Sequence, residues 1–78
     1  MTFAIVIKIL HLLDYDETII IKEDITDGQA DYDEDNLEYV DRFSKYDEIS
    51  DYMKYFTDPK YHFFVQDGVF TGDEIKAD

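Results

Sequence analysis

Fifteen of the chain's 20 Asp and Glu fall between Asp14 and Asp51, opposed there only by Lys22, Arg42 and Lys45. The middle of a 78-residue chain thus holds −12 of its −13 formal charge. Like charges so close together resist compaction, and the hydrophobic scaffold must come mainly from the two chain ends. A domain of this length buries only about 60–65% of the surface its unfolded chain exposes, so the core is thin. An apolar fraction of 45%, with six Phe and seven Tyr, still exceeds that of charged disordered tails. The expectation is one acidic domain over 1–78, frayed at 72–78.

Cysteine is absent, which removes disulfide staples and thiolate metal ligands from consideration. The opening run from Met1 to Leu10 has no basic region before it, is interrupted by Lys8, and lacks a small-residue cleavage site after it. It reads as a strand and not as a secretion signal. No apolar run reaches the ~18 residues of a membrane span. The expected setting is the cytoplasm, that of a bacterial host if the chain is phage-encoded.

Residues 2–12 combine β-branched and aromatic side chains on both alternating faces, which predicts a central strand. Asp14-Tyr15-Asp16-Glu17 is turn-like and Thr18–Lys22 predicts a second strand, the two forming an antiparallel hairpin. Glu23 to Asn36 is polar and acidic around Gly28 and reads as a loop. Leu37, Val40, Phe43, Tyr46 and Ile49 recur every third residue, a spacing that walks round a helix axis by roughly 60° a step. From Tyr46 the pattern tightens, and Ser44 with Asp47 resembles a capping box, so a helix is expected at 45–57 after a short helix or extended piece at 37–42. Thr57-Asp58-Pro59-Lys60 ends it. Tyr61–Gln66 and Val69–Thr71 then form strands about an Asp67-Gly68 type I′ turn. The fold class is α+β: a small antiparallel sheet of an N-terminal and a C-terminal hairpin, packed against one main helix through Tyr46, Ile49, Met53 and Phe56.

The carboxylates Asp14, Asp16, Glu17, Glu23, Asp24, Asp27, Asp31, Asp33, Glu34, Asp35, Glu38, Asp41, Asp47, Glu48 and Asp51 form a candidate binding belt. Alternate strand residues lie about 6.6 Å apart and helical neighbours about 5–6 Å apart, spacings comparable with those between phosphates. Such a belt suits the basic cleft of a nuclease or another nucleic-acid-binding protein. A solubilising surface is the plainer reading of the same charge. Displacing a nucleic acid also needs desolvated anchors, and Tyr15, Tyr32, Tyr39 and Tyr55 in or beside the belt offer rigid apolar area with a hydroxyl.

Other chemistries find less support. Asp31-x-Asp33-x-Asp35 resembles the start of an EF-hand loop, but Asn36 stands where Gly is required and Arg42 where a bidentate Glu is required. Only weak electrostatic binding of Ca²⁺ or Mg²⁺ is left. His11 and His62 without Cys make a poor zinc set. Glu17 and Glu48 could serve as an acid–base pair only with a pocket that so short a chain has little room to build. Gly28, Gly68 and Gly72 are isolated, so no phosphate loop is present. The seven Lys and Arg are scattered, which argues against direct nucleic-acid binding. No enzyme activity, cofactor or structural metal is expected.

In size and acidity the chain resembles the small phage-encoded inhibitors of host defence nucleases, including anti-restriction and anti-CRISPR proteins. That resemblance implies a basic protein partner and inhibition by steric and electrostatic occlusion. An antitoxin or immunity-type module neutralising a basic toxin is the main rival. A structural protein whose strand edges pair with copies of itself, a homodimer in the simplest case, is the third.

Overall fold

A computed structural model describes residues 3–25 and 36–76. The chain runs as helix α1 (Phe3–Asp14), strands β1 (Ile19–Asp24) and β2 (Leu37–Phe43), a 3-10 turn (Ile49–Tyr52) leading into the short helix α2 (Met53–Phe56), and strands β3 (Tyr61–Asp67) and β4 (Phe70–Glu74). The four strands form one antiparallel sheet in the order β2-β1-β3-β4. The expected α+β class holds, with a hairpin-like pair in each half of the chain.

The first element departs from expectation. Residues 3–14 are helical, so the strand at 2–12 and its hairpin with 18–22 do not form. Short apolar runs are ambiguous in periodicity, and length decides between them: strands rarely exceed about 8 residues, whereas this run has 12. Wound as a helix it places Ile5, Val6, Ile9, Leu12 and Leu13 on one side against the sheet, a gain that outweighs the modest helix propensity of Ile and Val. The helix stops in a Schellman motif. Glu17 N–H donates to the Leu12 carbonyl at 3.2 Å and Asp16 N–H to that of Leu13 at 3.0 Å, with Asp16 left-handed at φ 65 where glycine is usual.

β1 and β3 are the inner strands, and each buries an apolar residue on the far face as well, Ile20 and Phe64. Ile19, Ile21 and Phe63 join Ile9, Leu13, Phe43, Tyr55, Phe56 and Ile75 in the core. On the opposite face Ile20 pairs across with Phe64, and Lys22 Nζ lies 5.4 Å from the Phe64 ring centre. An aromatic run knits the elements together: Phe43 stacks on Tyr52 at 4.7 Å, Phe56 on Phe63 at 4.9 Å, and Tyr55 meets Tyr61 edge-on at 4.8 Å.

The expected helix at 45–57 shrinks to residues 49–56. Ser44 and Asp47 do bond, but as a closed turn: Ser44 N–H donates to Asp47 Oδ2 at 2.9 Å, and Asp47 N–H donates to the Ser44 carbonyl at 3.1 Å. Glu48 is then extended. Phe56 reaches the core and Ile49 packs beside it. Tyr46 is 86% exposed and Met53 45%, so neither faces the sheet.

The extended alternative at 37–42 is the one adopted, as β2. β1 runs on to Asp24, past the expected start of the loop, and Ile25 N–H bonds the Asn36 carbonyl at 3.0 Å. In the β3–β4 hairpin Asp67 pairs with Phe70, so Gly68 and Val69 form the loop and only Gly68 is left-handed. That is the pattern of a II′ turn and not the I′ turn expected from Asp67-Gly68. The chain does not fray at Gly72. β4 continues to Glu74, and Ile75 is 7% exposed with its N–H on the Phe63 carbonyl at 2.8 Å. Gly72 itself is required, since a Cβ there would lie 2.6 Å from the Val65 carbonyl oxygen.

Candidate protein-binding face

The Schellman cap delivers Asp14, Tyr15, Asp16 and Glu17 to one end of the sheet, because the reversed backbone at Asp16 leads directly into β1. Ile19 pairs with Phe43, so the segment Ser44–Glu48 leaves β2 beside that same turn. Lys45 Nζ closes the gap by pairing with Asp16. Asp16 accordingly holds the Lys45 ammonium above its ordinary pKa, with Tyr46 adding to the effect. The pair is exposed and screened by water, so it aligns two turns more than it stabilises the fold.

Asp41 on β2, Asp47 in the turn and Asp51 in the 3-10 segment converge on Tyr52. Half-burial raises the Tyr52 hydroxyl's pKa first, and the charges of Asp47, Asp41 and Asp51 raise it further. That single ring therefore senses carboxylates from three parts of the chain. An open hollow of about 490 Å³ lies beside Asp41 and Asp47, lined also by Thr18, Tyr39, Arg42 and Gln66. Arg42 N–H donates to Asp41 Oδ1 at 2.8 Å, and its guanidinium reaches Gln66 Oε1 at 3.5 Å.

Two aromatic side chains stand out from this acidic end. Tyr15 is 69% exposed and meets His11 edge-on at 5.0 Å. Tyr46 lies beneath Lys45, whose Nζ is 5.3 Å from the ring centre. Sequence reasoning placed Tyr46 in the core and missed it. The usable signal was its setting within Ser44-Lys45-Tyr46-Asp47, a polar tetrad with Ser and Asp at turn positions.

The remaining candidates are more dispersed. Glu23, Asp24 and Glu38 lie at the far end of β1 and β2, roughly 13–17 Å along the strand from Ile19. Glu23 faces Glu38 directly across the ladder, an unfavourable like-charge pair. Lys60 relieves it at 3.5 Å from Glu23, which raises the Lys60 pKa. Tyr39 is 59% exposed on β2. Tyr55 is only 9% exposed and packs on Tyr61, so it belongs to the core and is no anchor. Asp27, Asp31, Tyr32, Asp33, Glu34 and Asp35 lie outside the described residues, as does the EF-hand-like triplet. Glu17 and Glu48 lie in this acidic end, in the turn before β1 and just before the 3-10 segment.

Among the described residues no group of three or more His, Asp or Glu is placed to hold a metal ion. His62 Nδ1 instead meets Glu74 Oε2 at 2.9 Å. No described helix is long and apolar enough to cross a membrane. Comparisons with known protein families, with curated proteins and with solved structures find no match. The arrangement offers carboxylate acceptors to Lys and Arg side chains, with two exposed tyrosines among them to supply contact area.

Proposed function

We propose that this protein is an acidic binding module that inhibits a basic protein by occupying its nucleic-acid site, in the manner of an anti-restriction or anti-CRISPR protein. The observation that carries this reading is the meeting of two acidic segments, where Asp16 beside the exposed Tyr15 pairs with Lys45 beside the exposed Tyr46, while Asp41, Asp47 and Asp51 act together on Tyr52. Glu23, Asp24 and Glu38 lie further along the same strands, Glu38 about 10 Å from Asp41 on β2.

Inhibition on this account is steric and electrostatic and involves no covalent chemistry. Carboxylates steer the encounter and set its salt dependence, while the tyrosines supply the desolvated contact that mobile ions do not. The test is binding to a panel of purified restriction nucleases and RNA-guided effector complexes, each with and without its nucleic acid. Binding to a member of the panel that disappears when its duplex or guide-target hybrid is present is the expected outcome. Simultaneous binding of protein and nucleic acid by the same effector would refute the reading.

A further inference from the structure

The sheet brings a third turn to its acidic end. Ile19 stands opposite Phe43 on one side and Val65 on the other, so β2 ends, β1 begins and β3 ends side by side. Gln66 N–H donates to the Thr18 carbonyl at 2.9 Å. The β3–β4 loop therefore leaves the sheet beside residues 14–17 and 44–48, which Asp16 and Lys45 join. Strand spacings of about 4.8 Å place the whole row, from the exit of β2 to the start of β4, within about 14 Å.

The fold gives the apolar side chains of this loop little cover. Its turn needs Gly68, left-handed at φ 63, and the position after such a glycine is ordinarily polar. Val69 stands there 89% exposed, followed by Phe70 at 73%, and neither belongs to the core or packs against it. A hollow of about 360 Å³ continues this apolar surface onto the open sheet face, where Ile20 and the exposed Tyr39 line it together with Val69 and Phe70. Arg42 is the cation in its wall and is turned to the Gln66 amide. Adjoining exposed apolar residues of this kind mark a contact surface.

We infer that Val69 and Phe70 enter an apolar pocket beside the basic cleft of a partner protein, while carboxylates of the adjoining turns meet its Lys and Arg side chains. The inference rests on the reading of the protein as an occupant of a basic site, and adds to it the desolvated contact that charge alone does not supply. Charge selects this partner over the alternatives. Docking of two copies through this end would set Asp14, Asp16 and Glu17 of one against those of the other, and an anionic membrane would meet the same carboxylates.

Binding of Val69→Asn/Phe70→Thr to the panel of restriction nucleases and RNA-guided effector complexes, beside the parent, tests the inference. For an effector whose nucleic acid displaces the parent, affinity should fall about 10-fold or more with its salt dependence unchanged, because the apolar contact is lost and the charges remain. The variant's urea midpoint should equal the parent's. Phe3→Gln/Ile7→Gln, which removes a comparably exposed apolar pair on α1, should bind like the parent. Decalysine, a probe with charge and no apolar pocket, should bind parent and tip variant alike. Competitive binding that the tip substitutions leave intact overturns the inference while the basic-site reading stands. Equal loss in the α1 variant or towards decalysine, or a lowered urea midpoint, overturns it as well. Absence of any competing effector removes the reading and the inference together.

Discussion

Asp16 stands in a left-handed conformation that glycine adopts without strain, at the negative end of a helix dipole, and beside Asp14. Three unfavourable terms therefore meet at one exposed residue. Asp16→Gly should raise stability by about 0.5–1 kcal/mol in urea denaturation, and lower stability would contradict the assignment of the helix cap. The same change removes the partner of Lys45 and should weaken binding to a basic target. Tyr52 offers a spectroscopic probe of the acidic end. Its pKa is raised, so its contribution to stability is complete below about pH 10 and is lost as pH rises through the folded value. Ultraviolet titration should find a tyrosine ionising later than the exposed ones, and Asp47→Asn should bring it earlier by removing a charge that opposes the tyrosinate. Tyr46 was hidden from sequence reasoning because an every-third-residue apolar spacing suits a helix face and a strand–turn succession equally well. Only the hydrogen bonding of Ser44 with Asp47 resolves it as a turn.

At the scale of elements, the most legible part was the β3–β4 hairpin, where Tyr61–Gln66 has strong strand chemistry and Asp67-Gly68 marks reversal. The turn type was less legible, because the loop begins one residue later than Asp67 and register depends on pairing that no local signal encodes. α1 was misread for a related reason. Ile, Val and Phe favour strands locally, and only the tertiary gain of seating Ile9 and Leu13 on the sheet decides for the helix. The stretch after Gly72 was expected to fray as a chain terminus, yet through Lys76 one apolar residue, Ile75, secures it. Ile75→Ala should cost about 2–4 kcal/mol, with a lowered urea midpoint as the readout. A cost under about 0.5 kcal/mol would mean the segment is dispensable surface.

The molecule as a whole is a thin aromatic and aliphatic core carrying a strong negative field, and salt should act on it in two directions. Stability rises from about 0.05 to about 0.5 M NaCl as self-repulsion is screened. Affinity for a basic partner falls over the same range. A urea midpoint that drops with salt would show that specific ion pairs, and not net repulsion, dominate the fold's electrostatics. The location of the field was legible from the sequence, but its shape was not. The chain spreads the described part of the belt along β1 and β2, from the turns beyond Ile19 and Phe43, past Asp41 opposite Ile21, to Glu23, Asp24 and Glu38 at the other end, because strand pairing separates residues that lie close along the chain. Displacement of a labelled duplex from an effector that binds this protein is the measurement closest to the central claim. Full, salt-sensitive displacement, weakened about 10-fold or more by Tyr46→Ala, is the result expected of an acidic face with an aromatic anchor. Unchanged duplex occupancy while the protein is bound would contradict it.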